Sequence, residues 1–194
     1  MAVGFTDEQK QDIAAKLLQA GSDLAGSVGF KEMTVAQVAK KAGIATGTFY
    51  HFYRSKEEFA VALINDMEER SFDALKSRIA NGESIPVEEF LKYYREFFRP
   101  QNNFLLRLKL ADWVWLKTHI SDGPYFENKA DTERLDAVIP YIKGIRRDFD
   151  KGAVVNLIKG IYAVYQNRET FFEKSLDTTV DLIFETINNY VREK

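Results

Sequence analysis

The chain contains no cysteine, which excludes disulfide scaffolding, thiolate nucleophiles and cysteine-bound metal. Its two histidines, His51 and His119, stand in no nucleophile, metal or phosphate-loop context. No enzyme, no cofactor and no metal site is therefore expected. Isolated acid pairs such as Asp66/Glu69 read as exposed helix faces. There are only four prolines and no sustained apolar/polar alternation, which argues against a sheet. No apolar run is long enough to span a membrane, so no membrane association is expected. The segment Met1-Ala2-Val3-Gly4-Phe5-Thr6-Asp7 lacks a basic flank leading into an apolar stretch. A secretory signal is not expected, and the expected compartment is the cytoplasm.

Charge of one sign is also scarce, with a net of -2, but the average hides a gradient. Residues 1–56 carry seven Lys/Arg against five Asp/Glu, whereas the remainder carries twenty against twenty-four. Between Lys31 and Lys56 five basic residues (Lys31, Lys40, Lys41, Arg54, Lys56) face Glu32 alone. Local charge decides whether a surface attracts phosphate. Taken alone, the patch reads equally as a solvated basic face.

What is abundant is helical patterning. Thr6-Asp7-Glu8-Gln9 is a capping box with acids in the first turn. It opens a helix with Ile13, Leu17, Leu24 and Val28 on one face and Gly29 as its C-cap. Thr34-Val35-Ala36-Gln37 opens a short helix with Val35, Val38, Ala39 and Ala42 inward, ended by Gly43. A further short helix is predicted over 46–52. Ser55-Lys56-Glu57-Glu58 starts a long one through Leu63, Met67 and Leu75 to about 79. After a loop around Asn81-Gly82, helices are predicted at 87–99, 103–119, 131–148, 152–173 and 176–192. Pro100, an Asp122-Gly123-Pro124 turn and Gly152 separate them, and Pro140 is expected to kink the fourth-to-last helical stretch's successor at 131–148. The expected fold is all-α: a small N-terminal domain of three helices (1–54) and a larger helical domain (55–194), linked by the long helix.

Two short helices joined at Gly43 and held by an earlier one are the minimal helix-turn-helix. A major groove roughly 12 Å wide admits a short helix with hydrogen-bonding side chains outward. Thr46, Thr48, Tyr50 and His51 meet that demand, Phe49 anchors from behind, and Gly47 permits close backbone approach. The helix starts at Thr34 and Lys56 direct free N–H groups toward phosphates, and Lys41 and Lys56 add charge. Lys40 and Lys41 read as a solvated face near DNA rather than as base readers, and packing alone is the lesser alternative for Tyr50.

Gly29-Phe30, Thr34-Val35, Val38-Ala39, Ala42-Gly43-Ile44, Gly47-Thr48-Phe49-Tyr50 and Ser55-Lys56-Glu57-Glu58-Phe59 together resemble the TetR-family DNA-binding signature. The resemblance runs without a gap over about fifty residues. It implies a homodimer on a palindromic double-stranded DNA operator, usually a repressor, released by a small-molecule effector. It places Thr34 and Lys56 on phosphates, with Thr46, Thr48 and Tyr50 at the groove. Two positions depart from the pattern. Ala45 stands where a Ser or Thr usually caps the recognition helix, so the cap is missing or moved to Thr46. Phe52 stands where a phosphate-contacting His or Tyr is usual, with Tyr53 where a core Phe is usual; His51 is the candidate replacement.

Ten of the twenty-six aromatic residues fall between Phe90 and Phe126, including Tyr93, Phe97, Trp113, Trp115 and Tyr125. They fill core or line an effector pocket, with Arg107, Asp112 and His119 as polar anchors. Farther on, Val155, Ile158, Tyr162 and Tyr165 belong to one broad apolar stripe, and Val180, Phe184 and Ile187 to another. These two helices from each of two subunits are expected to form a four-helix dimer interface. The alternatives are an activator of the same fold and a helical interaction module without DNA binding.

Overall fold

A computed structural model of the chain describes residues 5–120 and 128–193, with side chains of the 128–131 stretch outside the description. The predicted turn at residues 122–124, and Tyr125 and Phe126, lie outside the described residues. The chain forms two compact units, residues 1–67 with 108–121, and residues 68–107 with 122–194. The boundary expected between residues 54 and 55 falls inside the first unit.

The first unit contains α1 (Asp7–Glu32), α2 (Val35–Ala42), α3 (Thr46–Phe52), the first half of α4 (Lys56–Ala80) and α6 (Leu110–His119). The capping boxes at Thr6/Gln9 and Thr34/Gln37 form as the sequence predicts, each hydroxyl accepting from the N–H three residues on and each amide returning the bond. At the third box the Ser55 hydroxyl accepts from the Glu58 N–H at 3.2 Å, but the Glu58 carboxylate reaches back one residue further, to the Arg54 N–H at 2.8 Å.

Gly29 takes φ +85°, which interrupts α1 and leaves one more turn before Met33. The buried side of α1 is made of Leu17, Ala20, Gly21 and Ala25, while Val28, expected inside, is exposed. Small residues let α4 approach closely: a side chain at Gly21 would collide with Phe59 and Leu63. Around this contact Leu17, Phe30, Phe49, Phe59 and Leu63 are at most 1% exposed. Each such side chain contributes about 1.5–3 kcal/mol of hydrophobic stabilisation.

The second unit holds α5 (Val87–Phe97), α7 (Asn128–Val138), α8 (Lys151–Gln166) and α9 (Leu176–Val191), with the rest of α4. Its core joins Leu75, Ile85, Val87, Phe90, Ile142, Ile145, Val154, Ile187 and Val191. Against the expectation of helices alone, β1 (Ile85–Pro86) pairs in parallel with β2 (Ile142–Lys143). The helix predicted over 131–148 ends at Val138. Pro140 sits in a single 3-10 turn over Ile139–Tyr141 and terminates the helix instead of kinking it. Proline supplies no N–H to the i→i−4 ladder, and the chain leaves the turn as the strand that β1 pairs.

Two other predicted helices are shorter. The stretch 103–119 is a 3-10 turn (Phe104–Arg107) and then α6, divided where buried Leu108 precedes Lys109. The stretch 152–173 stops at Gln166, where the Asn167 side-chain amide donates to the Ala163 carbonyl at 2.8 Å. No helix among the described residues is long and apolar enough to cross a membrane.

Candidate nucleic-acid interface

Gly43, at φ +72°, caps α2 in the left-handed region that only glycine enters without steric cost, and its N–H donates to the Lys40 carbonyl. The chain therefore reverses within three residues and delivers α3. Phe49 is fully buried beneath α3. It meets Phe59 edge-on at 5.1 Å and packs on Tyr53 at 5.6 Å. Such aromatic pairs contribute about 0.5–1.5 kcal/mol beyond burial. This anchor fixes which side of α3 faces outward.

On that outward side Thr46, Gly47, Tyr50 and His51 are exposed, and Thr48 is half-buried. Thr34 and Lys41 are exposed on α2 and its cap, and Lys41 pairs with Asp23 at 3.2 Å without losing access to solvent. The missing cap at Ala45 is a structural fact: no side chain bonds the first turn of α3. Phe52, the other departure, is half-buried and packs on Phe5 at 6.5 Å, so an apolar contact occupies that position. Tyr53 takes the aromatic core place, with Phe59 at 4.9 Å. Burial first, and then Asp66 and Glu58, push its phenol above the usual range. His51 is exposed at the end of α3.

Lys56 is placed differently. It is half-buried, and its ammonium donates to the Lys31 carbonyl at 3.1 Å and lies over the Trp115 ring at 4.6 Å. Desolvation lowers its pKa, opposed by Glu57, Glu32 and Asp112. Trp113, Trp115 and His119, expected among pocket residues, lie on α6 in the first unit. Asp112 is buried and accepts from the N–H groups of Lys31 at 2.9 Å and Lys109 at 3.1 Å, so it is a structural cap and not a free anchor. Nothing in the local sequence marks the contacts of Lys31 with Asp112 and Lys56, because their partners lie 81 and 25 positions apart along the chain.

The other three expected pocket residues belong to the second unit. Phe97 is buried between Phe72 and Phe98, Tyr93 is half-buried against the core, and Arg107 is exposed. Missed by the sequence reading is Asn103, fully buried, whose amide donates to the Tyr162 hydroxyl at 3.2 Å.

The seven residues expected at a dimer interface are occupied within the chain. Val155, Tyr165, Val180, Phe184 and Ile187 are buried, and Ile158 and Tyr162 half-buried. The reason is that α8 and α9 pack on each other and α9 packs on α5, closing the hairpin over both stripes. Among the described residues, no group of His, Asp and Glu side chains is arranged to hold a metal ion.

Residues 17–63 match the sequence profile of "Bacterial regulatory proteins, tetR family". The transcriptional repressor NemR of Escherichia coli K12 is 31% identical over 87 residues, which cover 45% of this chain and 44% of NemR. The chain thus matches less than half the length of this curated relative. The solved structure of reduced E. coli NemR superposes with a TM-score of 0.59 at 17% identity, covering 94% of this chain and all of that one. The TetR transcriptional regulator SCO0520 of Streptomyces coelicolor gives 0.60 at 20% identity, covering 93% and 99%. At such identities the structures share a fold. Residues 17–63 thus match the profile of the tetR family of bacterial regulatory proteins, and over the same stretch the chain folds as two short helices, α2 and α3, joined at Gly43 and anchored by Phe49.

Proposed function

We propose that this protein is a ligand-responsive transcriptional repressor that binds a palindromic DNA operator as a homodimer and is released by a small-molecule effector. The observation that carries this reading is α3 itself: Tyr50, His51, Thr46 and Gly47 outward, over an anchor, Phe49, that is fully buried. Hydroxyls, an imidazole and a phenol on one short helix face suit hydrogen bonding to base edges. Thr34 and Lys41 flank that face and suit phosphate. The repressor sign follows NemR, whose name states it.

Pairing falls to the sides of α8 and α9 that the chain leaves uncovered. On α8 these include Asn156 and Ala163, with space beyond Gly160; on α9 they include Leu182, 57% exposed, and Thr186. Two recognition helices on a two-fold axis then meet grooves about 34–36 Å apart. The effector belongs in the second unit near Tyr93, Phe97 and the Asn103–Tyr162 pair, where rings and a few polar groups suit a flat or apolar molecule. α4 is continuous from one unit into the other and is the lever. The effector shifts the balance of states only by its differential affinity, typically about 1–3 kcal/mol of coupling.

The test is fluorescence anisotropy of the full chain on its own upstream intergenic DNA, across a salt series, against a scrambled duplex. Tight, salt-sensitive and selective binding supports the reading. Equal, weak binding to both duplexes overturns it for that DNA region.

A further inference from the structure

A lysine at the first position of α4 is well placed to meet a phosphate, yet Lys56 turns inward. Its ammonium has three donors and no acceptor. One donor reaches the carbonyl of Lys31, on the last turn of α1, at 3.1 Å. The charge lies 4.6 Å from the centroid of Trp115 on α6. That ring is held in turn: Phe30 lies nearly parallel to it at 6.0 Å, and His119 stacks on it at 4.6 Å. The His119 ring nitrogen Nδ1 is 2.8 Å from the carbonyl of Trp115, which fixes the stack along α6. A cation gains most over an indole face, and more when partly desolvated.

Three helices therefore converge on one ammonium: the end of α1, the start of α4 and the middle of α6. We propose that Lys56 is a positioning residue of the DNA-binding domain, which ties α1 and α4 to α6 through the Lys31 carbonyl and the Trp115 ring and does not contact a phosphate. The lowered pKa of the half-buried ammonium accords with this geometry. The inference rests on the DNA-binding reading above but assigns one of its residues a different task.

The experiment follows the labelled duplex that the intact chain selects, because salt dependence counts phosphates. Losing one phosphate contact lowers the slope of log K against log salt by about 0.9. Lys56→Met is expected to weaken binding roughly tenfold at every salt concentration, leaving the slope unchanged. Lys56→Arg, which stacks on indole and donates to carbonyls, restores the affinity. In a Trp113→Phe background Trp115 is the sole indole, and its emission is expected to stay the same when DNA binds.

A slope reduced in Lys56→Met, or a shift of Trp115 emission on DNA binding, overturns the proposal. The emission arm keeps Lys56 in place, so it decides the matter even where Lys56→Met does not fold. A wild-type chain that selects no duplex overturns the DNA-binding reading and this proposal with it. Selective binding with a reduced slope overturns this proposal alone.

Discussion

The carboxylate of Asp112, in α6, closes against the backbone of Gly29 at the point where α1 breaks, and accepts the N–H of Lys31 two residues on. Gly29 is thus required twice, for its φ of +85° and for the absence of a Cβ that would strike the carboxylate. Gly29→Ala is expected to cost about 2 kcal/mol or more of stability, since backbone strain of this kind costs roughly 1–3 kcal/mol before the collision is counted. Asp112→Ala leaves the part-buried N–H groups of Lys31 and Lys109 without their carboxylate, at about 1 kcal/mol each. Urea unfolding followed by circular dichroism measures both. A Gly29→Ala chain as stable as the parent contradicts the tight approach.

Anchor and reader on α3 separate cleanly. Phe49→Ala empties a fully buried site between Phe59 and Tyr53 and is expected to destabilise by about 3–5 kcal/mol. Tyr50→Ala, at an exposed position, changes stability by less than about 0.5 kcal/mol. It nevertheless costs operator binding on the order of 1–3 kcal/mol. Melting curves and anisotropy on the same two proteins check the division. Unaltered DNA binding by Tyr50→Ala removes that residue from the interface.

Tyr165 supplies a pH signature. Burial first, and then its hydrogen bond to the Asp177 carboxylate at 3.0 Å, push its phenol up to about 12. A folded-state pKa above the unfolded value of about 10 stabilises the neutral form. That stability is fully present below pH 10 and is lost as pH rises through 12. The urea midpoint is expected to fall between pH 9.5 and 12 in roughly that window, and Tyr165→Phe is expected to lose this part of the fall. An identical alkaline profile in the variant refutes the assignment.

The uncovered side of α9 offers a test of pairing. Leu182 is exposed on the chain by itself, so Leu182→Arg leaves the fold intact and sets two like charges near a two-fold axis. Light scattering behind size exclusion is expected to show a dimer for the parent and a monomer for the variant. A variant that remains dimeric moves the interface elsewhere, with the exposed pair Phe171 and Phe172 next to be examined.

How much of this could be read in advance depended on the range of the interaction. Thr6 with Gln9, and Thr34 with Gln37, bond across three residues, and a local rule finds them. Gly43 as the turn and Phe49 as the anchor follow from the same short-range logic. Periodicity along α8 and α9 revealed apolar stripes but not what covers them. The answer lay in α5 and in the hairpin itself, and Val155, Tyr165, Val180, Phe184 and Ile187 proved to be core. The strand pair between residues 85–86 and 142–143 is two residues long on each side, too short for any alternation to show.

The sequence by itself determined the helices up to residue 52, the caps at Thr6, Thr34 and Gly43 and the exposed polar face of α3, because each depends on hydrogen bonds and burial patterns within a few neighbours. Only the tertiary structure decided that α6 belongs with the helix-turn-helix, that Asp112 caps residue 31 across 81 positions, and that Lys56 bonds a carbonyl 25 positions away. These contacts pair charged side chains with backbone groups. Every residue but proline carries the backbone N–H and every residue the carbonyl, so residue identity marks neither partner, and chain geometry alone selects which ones meet.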